Sequence, residues 1–371
     1  MLKNKKFWSF EICSQFNLTN DIFTSAKNKG KFYEDALYFY DLMGTGAHPS
    51  FKKLYNTPSP SKINFNNVLI DLNTLKILFH LLTKYNTINS LTFSKNNFEI
   101  KTLEFLINSL LKEEQNSVSE LTYEWNDEIV IENIIYSYKN IKDIEDENLL
   151  NEIKKSHELI ASLANSNKIK ILCLRGNLLG DEGAKLIFEE LKKENNILNV
   201  LNLFNNSLTD KCIKTFCEML LVNNKLEEIN FGKNYLTDKA LNLIRENYGK
   251  FKMTAEEIEE YKKNVKERQE IIKNNAKLKM AGKPELEVPF LENVKEIDGE
   301  SYKYKNDTLR AFNFIHNLLT EKSYEDIIFL LDINKNCVIT TDGKPYNEEQ
   351  KNILKEVNSE HDYGNRIFLL K

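Results

Sequence analysis

The run Leu172-Cys173-Leu174-Arg175-Gly176-Asn177-Leu178-Leu179-Gly180-Asp181-Glu182-Gly183-Ala184 decides the fold. With Ile169 ahead of it, it places apolar residues at Leu172, Leu174 and Leu179 around an asparagine at Asn177. The same template returns as Leu198, Leu201, Leu203, Asn206, Leu208 and again as Leu226, Ile229, Phe231, Asn234, Leu236. The three asparagines are 29 and 28 residues apart, a period that belongs to stacked repeat architectures. Upstream, Ile88, Leu91, Phe93, Asn96, Phe98 fits fully. Val118, Leu121, Tyr123, Asn126 fits four positions with Glu128 a misfit, and Ile63, Phe65, Val68, Ile70 keeps the register with Val68 in the asparagine place. The gap of 51 residues from Asn126 to Asn177 calls for an insert near 140–160, around the acidic stretch Lys142-Asp143-Ile144-Glu145-Asp146-Glu147-Asn148.

Between these segments the apolar period changes to three and four. Ala184, Ile187, Phe188 and Leu191 follow it, as do Ile213, Phe216, Cys217 and Leu220, and Thr74 to Leu82 and Lys101 to Leu111 are similar. Each unit is therefore a short strand, a turn and a helix. A single unit cannot bury its own apolar stripe, whereas stacked neighbours can. The expected fold is α/β: a curved parallel sheet on the concave side and helices on the convex side. In each turn the asparagine amide satisfies backbone groups that neither strand nor helix reaches.

The Leu172–Ala184 run resembles the ribonuclease-inhibitor-type leucine-rich repeat family, with its Leu-x-Leu-x-x-Asn-x-Leu-x-x-x-Gly-Ala pattern. The likeness covers roughly residues 60–250. Two departures are the missing Gly-Ala at Asp210-Lys211-Cys212 and Asp238-Lys239-Ala240, and a third is the long insert. The resemblance implies a leucine-rich repeat solenoid. The family includes inhibitors, innate-immune sensor modules, GTPase-activating proteins and cytoskeletal adaptors, so it implies binding in place of a particular chemistry. A charged helix interrupting a repeat array also resembles some flagellar axoneme leucine-rich proteins, which implies a cytoskeletal or ciliary setting.

Outside the array, residues 1–57 read as an N-terminal cap with dense aromatics from Phe32 to Tyr40, and 58–250 as about six repeats. Residues 251–280 read as a charged helix opened by the capping box Thr254-Ala255-Glu256-Glu257. Glu256, Glu257, Glu259 and Glu260 start that helix and Lys273, Lys277 and Lys279 end it, which complements the helix dipole. Residues 281–296, with Gly282, Pro284 and Pro289, read as a linker, and 297–371 as a small α+β segment with a helix from Thr308 to Leu319. Asp332-Ile333-Asn334-Lys335-Asn336-Cys337-Val338-Ile339 echoes the start of a calcium loop. Cys337 replaces the turn glycine and Gly343 the bidentate glutamate, so a strand and turn are expected. Ile367 and Leu370 fit the first two template positions of a further repeat.

Composition narrows the function. Lys+Arg 51 against Asp+Glu 55 in 371 residues leaves a net charge of −4, which excludes a globally basic nucleic-acid binder. No run approaches the roughly 18 apolar residues of a membrane span. The apolar patch in Met1–Glu11 is broken by Glu11, so a cytoplasmic chain is expected. Cys13, Cys173, Cys212, Cys217 and Cys337 lie in no metal or disulfide spacing. The five histidines join no catalytic motif, and Gly44-Thr45-Gly46-Ala47-His48-Pro49 lacks phosphate-loop spacing. The chain reads as non-enzymatic, without metal or cofactor, and as a scaffold for other proteins. Strand alternation selects the concave face: Asn64 and Asn66, Thr92 and Ser94, Thr122 and Glu124, Cys173 and Arg175, Asn202 and Phe204, Asn230 and Gly232. Of these, Thr122, Glu124, Cys173, Arg175, Asn202, Phe204 and Asn230 are the candidate partner contacts. Arg175 and Phe204 on adjacent strands form an aromatic-plus-arginine hot spot. Three alternatives stand beside this. Phe204 is merely one exposed aromatic, or the C-terminal segment covers the face and the convex side or charged helix binds, or the chain is a GTPase-activating module offering Arg175 to a transition state.

Overall fold

A computed structural model describes residues 9–26, 29–57, 59–96, 98–112, 116–126, 128–131, 134–137, 146–248, 250–289, 293–297, 299–304, 306, 308–334, 337–359 and 367–370. Nine strands form one sheet: Lys62–Asn66, Ser90–Ser94, Glu120–Glu124, Ile171–Cys173, Val200–Asn202, Glu228–Asn230, Ala311–Asn313, Val338–Asp342 and Ile367–Leu370. They lie side by side in chain order and every pairing is parallel. The second apolar position of the template runs through all nine in one line: Ile63, Leu91, Leu121, Leu172, Leu201, Ile229, Phe312, Ile339 and Ile367. From Ile63 to Ile339 these side chains are buried.

Helices alternate with the strands: Leu72–Tyr85, Ile100–Leu111, Glu147–Ser162, Gly180–Leu191, Ile213–Leu220, Asp238–Asn247, Tyr324–Ile333 and Glu348–Ser359. Each packs on the next, so all lie on one face of the sheet. The three-and-four spacing supplies their inward stripes, for example Ala184, Ile187, Phe188 and Leu191, all buried. Ahead of the first strand, the helix Phe32–Leu42 packs on Leu72–Tyr85, and Phe51 of the helix Pro49–Lys52 meets Phe65 edge-on at 5.8 Å. Phe65 in turn stacks on Phe93 at 5.1 Å. Asp35 is buried there between the Lys84 ammonium (2.5 Å) and the Tyr85 hydroxyl (2.5 Å).

Two side-chain ladders tie the repeats together. Asn96, Asn126, Asn177, Asn206 and Asn234 are buried in the turns. The Asn177 amide nitrogen of the side chain donates to Tyr123 O in the preceding repeat (2.7 Å), and its main-chain N–H donates to Asn206 Oδ1 in the next (3.0 Å). Asn126 and Asn206 repeat both bonds. The residue before each asparagine is left-handed: Lys95, Trp125, Gly176, Asn205 and Lys233. That conformation is costly for most side chains. Here it turns each N–H onto the neighbouring strand, as in Trp125 N to Arg175 O (2.8 Å) and Lys233 N to Ile315 O (2.7 Å). The second ladder joins Asp181 to Thr209, Asp210 to Thr237 and Asp238 to Thr320, each carboxylate accepting from both the threonine N–H and its hydroxyl.

The structure departs from the sequence expectations at four places. Thr308 to Leu319 is not a helix: Leu309, Phe312, Phe314, Asn317 and Leu319 are a seventh copy of the template around the strand Ala311–Asn313. Asn317 holds the ladder place, accepting from Leu236 N (3.0 Å) and donating to Phe231 O (3.0 Å). Residues 297–371 thus supply three strands to the main sheet. Second, the surplus after Asn126 includes an antiparallel hairpin, Glu128–Ile131 with Ile134–Ser137, and most of 140–160 is the regular helix Glu147–Ser162. Of the acidic stretch, Lys142 to Glu145 lie outside the described residues.

Third, the expected linker ends in a strand, Asn293–Ile297, of a small antiparallel sheet with Glu300–Tyr304 and Lys250–Lys252. Ahead of it, residues up to Pro289 fold back along the charged helix Ala255–Met280. There Asn275 brackets Leu286 with two 2.7 Å bonds, and Arg268 donates to Pro289 O at 3.1 Å. That helix opens with the expected reciprocal Thr254–Glu257 box. Fourth, in the last strand Ile367 pairs with Ile339 and Leu369 with Thr341. They therefore hold the second and third template positions, three residues out of register with the expectation that Ile367 and Leu370 hold the first and second.

Candidate partner-binding face

On the sheet face away from the helices, side chains fall into rows because strands in register place equivalent positions side by side. Thr122, Cys173, Asn202 and Asn230 are successive partners in one row, which continues through Asn313 to Thr340. Asn202, Asn230 and Asn313 share one local geometry. Each Oδ1 accepts from the N–H two residues on, at 2.9, 2.8 and 3.0 Å, which ends the strand in a tight turn. Each carbonyl is thereby engaged, and the amide nitrogens have no hydrogen-bond acceptor among the described residues. Cys173 is half-buried, and burial raises its thiol above the ordinary value, so it stays a neutral thiol.

The row two residues further along holds Glu124, Arg175, Phe204, Gly232 and Ile315. The Arg175 guanidinium carbon is 4.6 Å from the Phe204 ring centre and 5.2 Å from that of Trp125, so the cation lies between two aromatic rings. Two glycines make room. A Cβ on Gly176 would sit 2.3 Å from the Trp125 ring, and one on Gly232 would sit 2.9 Å from Phe204 and 3.0 Å from Ile315. Any larger residue at either place would push an aromatic ring out of line. Arg175 is exposed, and among the described residues its side chain makes no ion pair and no hydrogen bond.

All seven candidate residues therefore face the same side, in two adjacent rows, and Arg175 and Phe204 do touch. Two members of the cluster were not anticipated. Trp125 follows the strand, in the left-handed residue before Asn126, where simple alternation assigns no face. Ile315 belongs to the repeat whose residues read as a helix. The C-terminal segment extends the sheet edgewise and places Ile315, like Phe204, against Gly232.

The buried histidines serve the fold. His48 donates from Nε2 to Leu69 O (3.1 Å) and accepts from Ser50 N at Nδ1 (3.2 Å); burial lowers its pKa to about 4 against the opposing pull of the Leu69 bond. Burial alone lowers His157 to about 4. Asn334 of the calcium-loop-like stretch donates to Leu309 O (2.7 Å) and the Tyr248 hydroxyl (3.1 Å), while Lys335 and Asn336 lie outside the described residues. Among the described residues no three His, Cys, Asp or Glu side chains gather in a metal-binding group, and no helix is long and apolar enough to cross a membrane. Compared with known proteins, the chain matches no family model and no curated protein.

Proposed function

We propose that this chain is a leucine-rich-repeat-type solenoid of the ribonuclease-inhibitor kind that binds another protein on the helix-free face of its sheet. The observation that carries the reading is the cluster Trp125, Arg175, Phe204 and Ile315: large side chains for which two glycines leave room, and which are left partly open to solvent. Aromatic and arginine side chains at the centre of a face are the usual energetic anchors of protein interfaces. The asparagine ladder and the in-register template support the repeat assignment. The cytoskeletal or ciliary setting rests on the resemblance alone. Glu120, Glu124, Glu228 and Asp342 share the face with Arg175, which disfavours a nucleic acid, since that needs a basic stripe.

The test is affinity capture with wild type and the Phe204→Ala/Arg175→Ala double variant, folding being checked by circular dichroism. Loss of the wild-type partners is expected; a folded double variant that retains them all refutes the assignment. The second reading, a GTPase-activating module, draws support from the same exposed, unpaired Arg175. Stimulation of a small GTPase that vanishes in Arg175→Ala would favour it over a passive scaffold.

A further inference from the structure

We propose that Arg175 is the recognition point for a single carboxylate on an extended protein segment. This deepens the face-binding reading above and rests on it. The Arg175 guanidinium has ring centres at 4.6 and 5.2 Å, and its N–H groups make no hydrogen bond among the described residues, so they stand as open donors. That fork matches a carboxylate in two parallel hydrogen bonds. The two ring contacts also restrict the side chain before anything binds, so less freedom is lost on binding. Charge complementarity requires an anion, because no acidic group among the described residues pairs with Arg175.

The surroundings choose among anions. Glu124 stands in the same row on the adjacent strand, Glu120 and Glu228 lie two rows away, and Asp342 stands in the same row on the eighth strand. A nucleic acid or other polyanion would run its repeated charges against these carboxylates. A segment with one acidic side chain meets only Arg175. Beside it, Phe204 and Ile315 offer apolar surface, and the Asn202, Asn230 and Asn313 amide nitrogens are donors placed one row away, suited to main-chain carbonyls. Arg175 and Ile315 are three strands apart, about 14 Å at the usual strand separation, and an extended chain covers that in about four residues. The recognised segment thus carries an Asp or Glu with an apolar residue about four positions away.

A random dodecapeptide library displayed on phage and selected against the full chain tests this. Enriched peptides should share an Asp or Glu with an apolar residue about four positions from it. A synthetic peptide of that sequence should shift Trp125 fluorescence, read in a Trp8→Phe background. Its Kd should rise at least tenfold for Arg175→Gln and when its acid is changed to the amide, with Arg175→Lys falling between. Selected peptides without an acidic residue, or an unchanged Kd in Arg175→Gln, overturn the proposal. So does displacement of the peptide by a dT20 oligonucleotide or by inorganic phosphate in preference to acetate. Peptides that lose affinity for Phe204→Ala but not for Arg175→Gln would overturn the carboxylate while sparing the face. No enriched peptide dependent on either residue would overturn both.

Discussion

Replacing Asn206 by alanine tests whether the asparagine ladder holds the repeats together. The side chain is 0% exposed. Its Oδ1 accepts from Asn177 N (3.0 Å) and Leu179 N (3.4 Å), and its Nδ2 donates to Leu174 O (2.8 Å) and Phe204 O (3.3 Å). Truncation leaves two buried N–H groups without an acceptor, at about 1–3 kcal/mol each, so the expected loss is about 2–6 kcal/mol. Asn96, near the start of the ladder, is the internal control. Its Nδ2 donates to Val68 O (2.9 Å), but its Oδ1 is buried and has no partner among the described residues. Asn96→Ala removes one good bond together with an already unsatisfied acceptor and should cost about 1–2 kcal/mol. Urea unfolding gives the totals, and amide hydrogen exchange locates them. Exchange at the Asn177 and Leu179 amides should accelerate in Asn206→Ala while the Ile63–Leu91 strands stay protected. Equal costs for the two variants, or unchanged exchange at Asn177 and Leu179, would refute the ladder as the coupling between repeats.

Leu201→Ala and Ile229→Ala remove side chains that are 0% and 2% exposed in the continuous apolar line, and each should lower stability by about 2–5 kcal/mol in urea melts. Gly176→Ala meets both a backbone φ of 69° and the Trp125 ring; it should cost about 1–3 kcal/mol and change the Trp125 emission, read by fluorescence in a Trp8→Phe background. His48 and His157 stay neutral in the fold down to pH about 4, whereas in the unfolded chain they take up protons below the ordinary value of 6.5. Stability should therefore fall as pH drops through that window, by about 2 kcal/mol per histidine at pH 5, and His157→Gln should remove about half of the combined dependence between pH 7.5 and 5.

What the sequence disclosed of the fold follows from which interactions are periodic. The strand and turn positions must repeat because each strand in register touches its equivalents, so Leu172, Leu201 and Ile229 and their asparagines were readable in one pass. The seventh repeat carries the same template at Leu309, Phe312, Phe314, Asn317 and Leu319. It was missed because its partner residues are remote: Asp238 and Thr320 bond across 82 residues of sequence. Between them the chain builds a separate helix and small sheet, and period counting does not step over such an insertion. In isolation, Leu309 to Leu319 also has apolar residues at three and four spacing, which reads as a helix. The same holds for the eighth repeat, where Lys344 takes the asparagine place and the template's strongest marker is gone.

The site was legible to the extent that it obeys alternation. Thr122, Glu124, Cys173, Arg175, Asn202, Phe204 and Asn230 occupy strand or strand-extension positions, where an outward face is forced by the buried neighbours on either side. Trp125 escapes that rule because its backbone is left-handed, and a turn residue's direction depends on the turn. Yet the turn is itself a consequence of Asn126, whose ladder bonds pin the residue before it, so the position of Trp125 was implied by the motif even though its direction was not. Gly176 carries the matching signal. Every other described residue in that place up to the seventh repeat bears a side chain (Asn67, Lys95, Trp125, Asn205, Lys233 and His316); the eighth has Gly343 there, but only at Gly176 does a tryptophan ring of the adjacent repeat fill the space a Cβ would take. Two positions on neighbouring repeats that depart together from a template, one to the largest side chain and one to none, mark a contact in which each departure requires the other.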